Sequence, residues 1–156
     1  MSYLDALAFE IQASGEEPAY SGGAADGMIA QFEEALGVAF PDAYKHFLKT
    51  YGALSFAGDT YYGITGSGLT AREVPCVAFA TQTARSEGDA DSSMIVIMAS
   101  GYGPIYSIDT SIIGGTGEPV IIETPLSFKR TGEKIIIYQS FEAFFTDMIR
   151  SAIREL

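Results

Sequence analysis

The residues of this chain that are best equipped for chemistry are few: one histidine, one cysteine, and a scatter of carboxylates and tyrosines. His46 follows Pro41 in a segment with helical periodicity. On such a helix it lies roughly opposite the stripe of Tyr44, Phe47 and Leu48 and near Lys45 and Lys49, which reads as a solvated surface histidine. Cys76 has only Arg72 nearby to favour a thiolate, so a small buried apolar side chain is the plainer reading. A Cys76–His46 nucleophile–base pair would require the outward histidine to turn inward. The chain contains no G-x-S-x-G, H-E-x-x-H or G-x-x-x-x-G-K-[ST]. Gly63, Gly66 and Gly68 have G-x-x-G-x-G spacing, not that of the dinucleotide fingerprint, and read as turn glycines. A calcium loop starting at Asp89 would need Gly and Glu where the sequence has Met94 and Ser100. No carboxylate pair is marked out by spacing for acid–base work. The sequence therefore assigns no catalytic, metal-binding or cofactor-binding residue.

The tyrosines suggest a different role. Tyr61, Tyr62, Tyr102 and Tyr106 fall in Gly-bounded segments near Asp59 and Asp109. Tyrosine offers a large contact area and a polar tip at small entropy cost, so beside acids it suits a protein interface. Half-buried strand tyrosine is equally common.

These residues have to be positioned by the surrounding elements. Residues 3–13 have helical spacing, with Leu4, Leu7, Ala8 and Ile11 on one face. Residues 14–26, rich in Gly, Ser, Glu and Pro, read as a loop or mobile linker. Asp26 is placed to cap a helix over about 27–36 that Gly37 stops. Pro41 suits the first position of the next helix, which Gly52 ends. Segments 53–56 and 59–65 predict short strands, and 72–85 fits either helix or strand. Met94–Ser100, Pro104–Asp109, Pro119–Thr124 and Lys134–Tyr138 predict an antiparallel meander, its later turns marked by GGTGE and KRTGE. Ser140 is placed to cap a closing helix that turns Phe141, Phe144, Phe145, Met148, Ile149 and Ala152 to one side. The order predicts an α+β fold: a single domain with a central antiparallel sheet, short N-terminal helices and a closing C-terminal helix. Residues 1–26 form a helix and flexible extension, and 27–156 the domain proper.

Composition limits the partners. The 156 residues carry 9 Lys+Arg against 20 Asp+Glu, a net charge of −11, with 47% hydrophobic residues. That apolar content excludes a disordered chain. The charge argues against nucleic acid and anionic membranes and suits a basic partner. Lys129, Arg130 and Lys134 are the only basic cluster, and they read as a solvated hairpin tip. Segment 1–44 holds eight acids and segment 86–128 six, both without Lys or Arg. If these segments meet they make a negative face; otherwise the acids are scattered surface charge. One cysteine fits a reducing compartment, and the start lacks the basic and apolar runs of a signal peptide. The longest strongly apolar run, Met94–Ala99, is far short of the roughly 20 residues of a membrane helix. A cytoplasmic protein is expected.

The block I-A-Q-F-E-E-A-L-G-V-A-F-P-D-A-Y-K-H-F-L-K-T-Y-G, Ile29 to Gly52, closely resembles the opening signature of the SUKH superfamily. The matching positions are Ile29, Glu33, Leu36, Gly37, Pro41, Tyr44, Phe47, Leu48 and Gly52. Gly101, Gly103, Tyr106 and Asp109 resemble the family's glycine turn and following strand. Glu118, Pro119 and Val120 resemble the next strand's start, and Phe141–Ile149 the closing helix. The chain departs from the pattern at Phe40, where Leu is common, at Tyr51-Gly52-Ala53, where Asn-Gly-Gly is common, and in having no Trp.

The resemblance implies a non-enzymatic binding domain. Members are similar to bacterial immunity proteins that bind a cognate toxin, or to yeast-type regulators of cell-wall synthesis. The acidity suits a basic toxin that acts on nucleic acid. No cofactor, nucleic acid or membrane is expected. The expected partner contacts are Asp59, Tyr61, Tyr62, Tyr102, Asp109 and Glu118, chosen on chemistry and expected location and not on a family contact motif. The alternatives are an adaptor of cell-wall or signalling machinery, and a small carboxylate-based hydrolase or ligand binder.

Overall fold

The computed structural model describes residues 2–99 and 103–156. Its elements run α1 (Tyr3–Ser14), β1 (Ala19–Tyr20), α2 (Asp26–Leu36), α3 (Asp42–Thr50), β2 (Leu54–Phe56), β3 (Asp59–Tyr61), a 3-10 turn (Gly68–Thr70) and α4 (Val77–Ser86). They continue with β4 (Met94–Ala99), β5 (Ile105–Ile113), β6 (Pro119–Thr124), α5 (Phe128–Thr131), β7 (Ile135–Tyr138) and α6 (Phe141–Arg154). The fold is α+β, as the sequence predicts.

Local chemistry sets most helix ends. Ser2 and Asp5 form a reciprocal capping box at α1. Ala25, not Asp26, is the N-cap of α2; Asp26 sits in the first turn and pairs with Lys49 at 2.9 Å. Gly37 closes α2 in the left-handed conformation, at φ +67°. Ser140 accepts a hydrogen bond from the Ala143 N–H and starts α6. The ambiguous 72–85 segment becomes helical from Val77, and its Thr81 hydroxyl accepts from the Val96 N–H of β4. The expected KRTGE turn is entered through α5 and closed by Gly132 at φ +66°.

Four strands form the predicted meander, in the order β4-β5-β6-β7 and antiparallel throughout. A second antiparallel sheet, β1-β2-β3, stands beside it, linked by the Tyr62 N–H donating to Ile97 O at 2.8 Å. The 14–26 segment is more structured than its composition suggests. Tyr20 and Ala19 pair with Leu54 and Ser55, and Gly23 packs so closely that an added Cβ would lie 2.0 Å from Lys49 O. Glycine there permits a backbone-to-backbone approach that no other residue allows.

The core is strongly aromatic. α6 buries Phe141, Phe144, Phe145 and Ile149. Phe141 and Phe145 stack at 5.7 Å, and Phe47 of α3 packs against both. α1 joins this core through Leu4, Leu7 and Ile11. It is also tied down by the Tyr3 hydroxyl donating to Ala43 O at 2.7 Å and by Arg150 gripping Glu10 at 3.0 and 3.1 Å.

Candidate functional site

The signature residues of Ile29–Gly52 are occupied with holding the fold. Glu33 accepts a hydrogen bond from the Phe40 N–H at 2.7 Å and faces Lys45 at 3.7 Å, fixing the corner between α2 and α3. The Tyr44 hydroxyl is buried and donates to Tyr62 O at 2.8 Å. Gly52 has φ +75°, and Gly63 comes so close that an added Cβ would lie 1.7 Å from Gly52 O. These contacts explain the spacing of the signature and leave its side chains little freedom to engage a partner.

The six expected contact residues fall in different places. Asp59 is half-buried at the start of β3. Tyr61, two residues on, is 1% exposed and packs against Phe144 and Phe145 at 6.2 and 5.0 Å. Its hydroxyl has no hydrogen-bond partner among the described residues. Tyr62 is buried, and its hydroxyl donates to Ala99 O at 3.4 Å. Asp109 is fully buried. Glu118 is half-buried in the β5–β6 turn, where its carbonyl receives the Gly114 N–H. Tyr102 lies outside the described residues. Thus Tyr61, Tyr62 and Asp109 do not present side chains at the surface in this structure. Period-two alternation cannot reveal this: Phe144 and Phe145 of α6 cover Tyr61, and that packing exists only in the folded chain.

Asp109 belongs instead to a charged knot. Lys134 Nζ lies 2.7 Å from Asp109 Oδ2 and 2.7 Å from Asp91 Oδ2. Asp109 Oδ1 accepts from the Ser111 N–H and hydroxyl, at 2.9 and 2.5 Å, and from the Ser93 hydroxyl at 3.2 Å. Burial pushes the Asp109 carboxyl up, but Lys134 and Ser111 outweigh it and hold it below the usual carboxylate range. The same two aspartates raise Lys134 against the effect of its burial.

A surface with the expected chemistry does form around Asp59, from residues that were not all anticipated. Tyr106 and Glu123 are cross-strand neighbours on β5 and β6, and Glu123 faces Ile135 of β7. Burial raises the Tyr106 phenol, and Glu123, its cross-strand neighbour, and Asp59 raise it further. Tyr138 packs on Phe144 at 5.5 Å and donates its hydroxyl to Asp147 Oδ2 at 2.5 Å. Asp59 also borders a hollow of about 610 Å³ with Glu16, Met148, Ser151 and Glu155. Burial raises its carboxyl, and Glu155 raises it further. Asp59, Glu123, Asp147 and Glu155 form no ion pair with the described cations, so the face is negative and available.

The two acidic segments do not supply this face as a block. Their Glu10, Asp26, Glu33, Asp89, Asp91 and Asp109 are neutralised by Arg150, Lys49, Lys45, Lys129 and Lys134 from the basic stretches. Folding pairs these six acids, while Asp5, Glu16, Glu17, Glu34 and Asp42 of the first segment stay exposed and form no ion pair among the described residues. The pairing of Tyr138 with Asp147 is not legible in the sequence because it depends on α6 packing beside β7.

The lone histidine and cysteine form no evident reactive pair. His46 is half-buried, edge-on to Tyr3 with ring centroids 6.1 Å apart, because α1 folds over α3; the expected solvated position is not observed. Cys76 is 1% exposed, its Sγ 3.8 Å from Gly68 O. Among the described residues no group of three or more His, Cys, Asp and Glu could hold a metal ion. Among the described residues no helix is long and apolar enough to cross a membrane.

The architecture and the corner held by Glu33 define a small α+β domain of the SUKH type. A family model, SUKH_6, described as SMI1-KNR4 cell-wall, matches residues 26–145, and the chain belongs to that family. α1 precedes the matched region and packs into the same core. No curated protein matches the chain.

Proposed function

We propose that this chain is a non-enzymatic, cytoplasmic protein-binding domain that captures and neutralises a cognate bacterial toxin. The toxin is a basic protein acting on nucleic acid, most simply a nuclease. The observation that carries this reading is the set of carboxylates Asp59, Glu123 and Asp147 among Tyr106 and Tyr138, none of them in an ion pair among the described residues. Such a set accelerates encounter with a basic partner and mimics the charge of its substrate. Tyrosine supplies rigid, amphipathic contact area. Membership of a family with immunity and regulatory members supports a binding role.

The test is co-expression with each candidate toxin encoded beside this gene. Growth rescue together with co-purification is expected. Neither rescue nor recovery of a toxin would overturn the proposal. The family description, SMI1-KNR4 cell-wall, favours a second reading, an adaptor of wall-synthesis machinery. Recovery of wall-synthesis enzymes instead of a toxin would select it.

A further inference from the structure

The two sides of the four-stranded sheet end differently. Along β4, the Val96 N–H donates to Thr81 and the Ile97 carbonyl accepts from Tyr62, so that edge is covered. β7 pairs only with β6, and among the described residues no hydrogen bond reaches its outer side. β7 is blunted only in part: it is four residues long, follows Lys134 and shifts register before Tyr138, but among the described residues nothing covers its outer side. Here Ile135 and Ile136 are 41% and 47% exposed. They pair with Glu123 and Ile122, and the register shifts between Ile136 and Tyr138.

The strand is also pinned at both ends. Lys134, just before it, is held by Asp91 and Asp109, and Tyr138 is held by Asp147. An edge fixed in this way loses little conformational freedom when another strand docks.

We propose that β7 is the docking edge for an extended segment of the partner, which adds to the sheet as a fifth strand. Successive side chains alternate between faces, so its β-branched residues flank Ile136 on one face and Ile135 on the other, and its Lys or Arg residues lie at the Tyr138–Asp147 end. Main-chain hydrogen bonds give such a contact affinity, and alternate side chains give it specificity. Charge sets the polarity: Asp147 has no cation, whereas Arg130 shares the hollow beside Glu123 toward the other end. A second copy of this chain is a poor occupant, because each copy carries −11 and Lys134 is already engaged. The inference takes the partner's basic character from the proposed function.

The experiment uses the full chain and a short fluorescein-labelled peptide of alternating Val and Thr with two lysines at one end, alongside the same peptide with glutamates. Anisotropy should show the lysine peptide binding about 10-fold or more tighter than the glutamate peptide. Amide exchange should slow at residues 135–138 in its presence. Ile136→Lys, a half-exposed position, should abolish the protection with an unchanged circular dichroism spectrum. Asp147→Asn should weaken binding a few-fold and flatten its salt dependence. No protection of β7, equal binding of the two peptides, or concentration-dependent protection of β7 in the free protein would overturn the proposal, the last by assigning the edge to a contact between copies. If a toxin is captured equally by Ile136→Lys and wild type, strand addition falls while the proposed function stands. If the lysine peptide protects β7 but no toxin is captured, the docking edge stands and the proposed function falls.

Discussion

Lys134 Nζ stands 2.7 Å from Asp109 Oδ2, linking the residue before the edge strand to a carboxylate buried in the middle of the sheet. The contact spans β5 to β7 and gathers Asp91, before β4, into the same knot. One cation thus ties three parts of the sheet together.

Removing that cation should leave Asp109 buried and uncompensated. Lys134→Met is expected to destabilise the fold by about 3–5 kcal/mol, measured by urea unfolding. Combining it with Asp109→Asn should cost less than the sum of the single changes, because the two residues share one interaction. Additive losses would mean that the pair is not coupled.

The knot also predicts a pH dependence. Asp109 and Asp91 are both held below the ordinary carboxylate range against the opposing effect of burial. A depressed folded-state value contributes stability that is fully present above the unfolded value of about 3.9 and is lost as pH falls through the folded value. Lys134 is raised, so its contribution is fully present below about 10.4 and is lost as pH rises through its folded value. Urea midpoints between neutral and strongly acidic pH should fall for wild type and respond less in Asp109→Asn.

Glu33→Ala should remove the acceptor for the Phe40 N–H and loosen the corner between α2 and α3. A loss of about 1–3 kcal/mol is expected, with Glu33→Gln recovering part of it. Thermal unfolding of the two variants separates the hydrogen bond from the charge.

Gly63→Ala should prevent folding or cost at least ~3 kcal/mol, since its Cβ would lie 1.7 Å from Gly52 O and backbone cannot give way cheaply. Gly66→Ala, which meets nothing within 4 Å, is the control and should be nearly silent. Soluble yield and circular dichroism read both.

Neutralising the negative face should act on encounter more than on the fold. The triple change Asp59→Asn, Glu123→Gln, Asp147→Asn is expected to slow association with the proposed basic partner about 10-fold or more at low salt. Its unfolding midpoint should stay close to that of wild type. A rate unchanged at every ionic strength would remove the face from the interface.

The sequence by itself determined the elements whose signals are local. α2 to α3 was legible because Gly37, Pro41 and Gly52 mark turns that most other residues would strain or break. The closing helix was legible because four phenylalanine and isoleucine positions that α6 buries recur at helical spacing. The family resemblance rested on the same local chemistry, now seen in the corner that Glu33 holds. What only the tertiary structure decided is which polar groups are buried and which charges remain. Tyr61 and Asp109 look like surface contacts in a half-exposed strand, yet α6 covers one and Lys134 satisfies the other. The cation-poor segments look like the negative face, yet distant lysines and arginines neutralise many of their acids. Charge pairing, burial and sheet edges depend on residues far apart in the chain, and proximity of that kind exists only after the chain has folded.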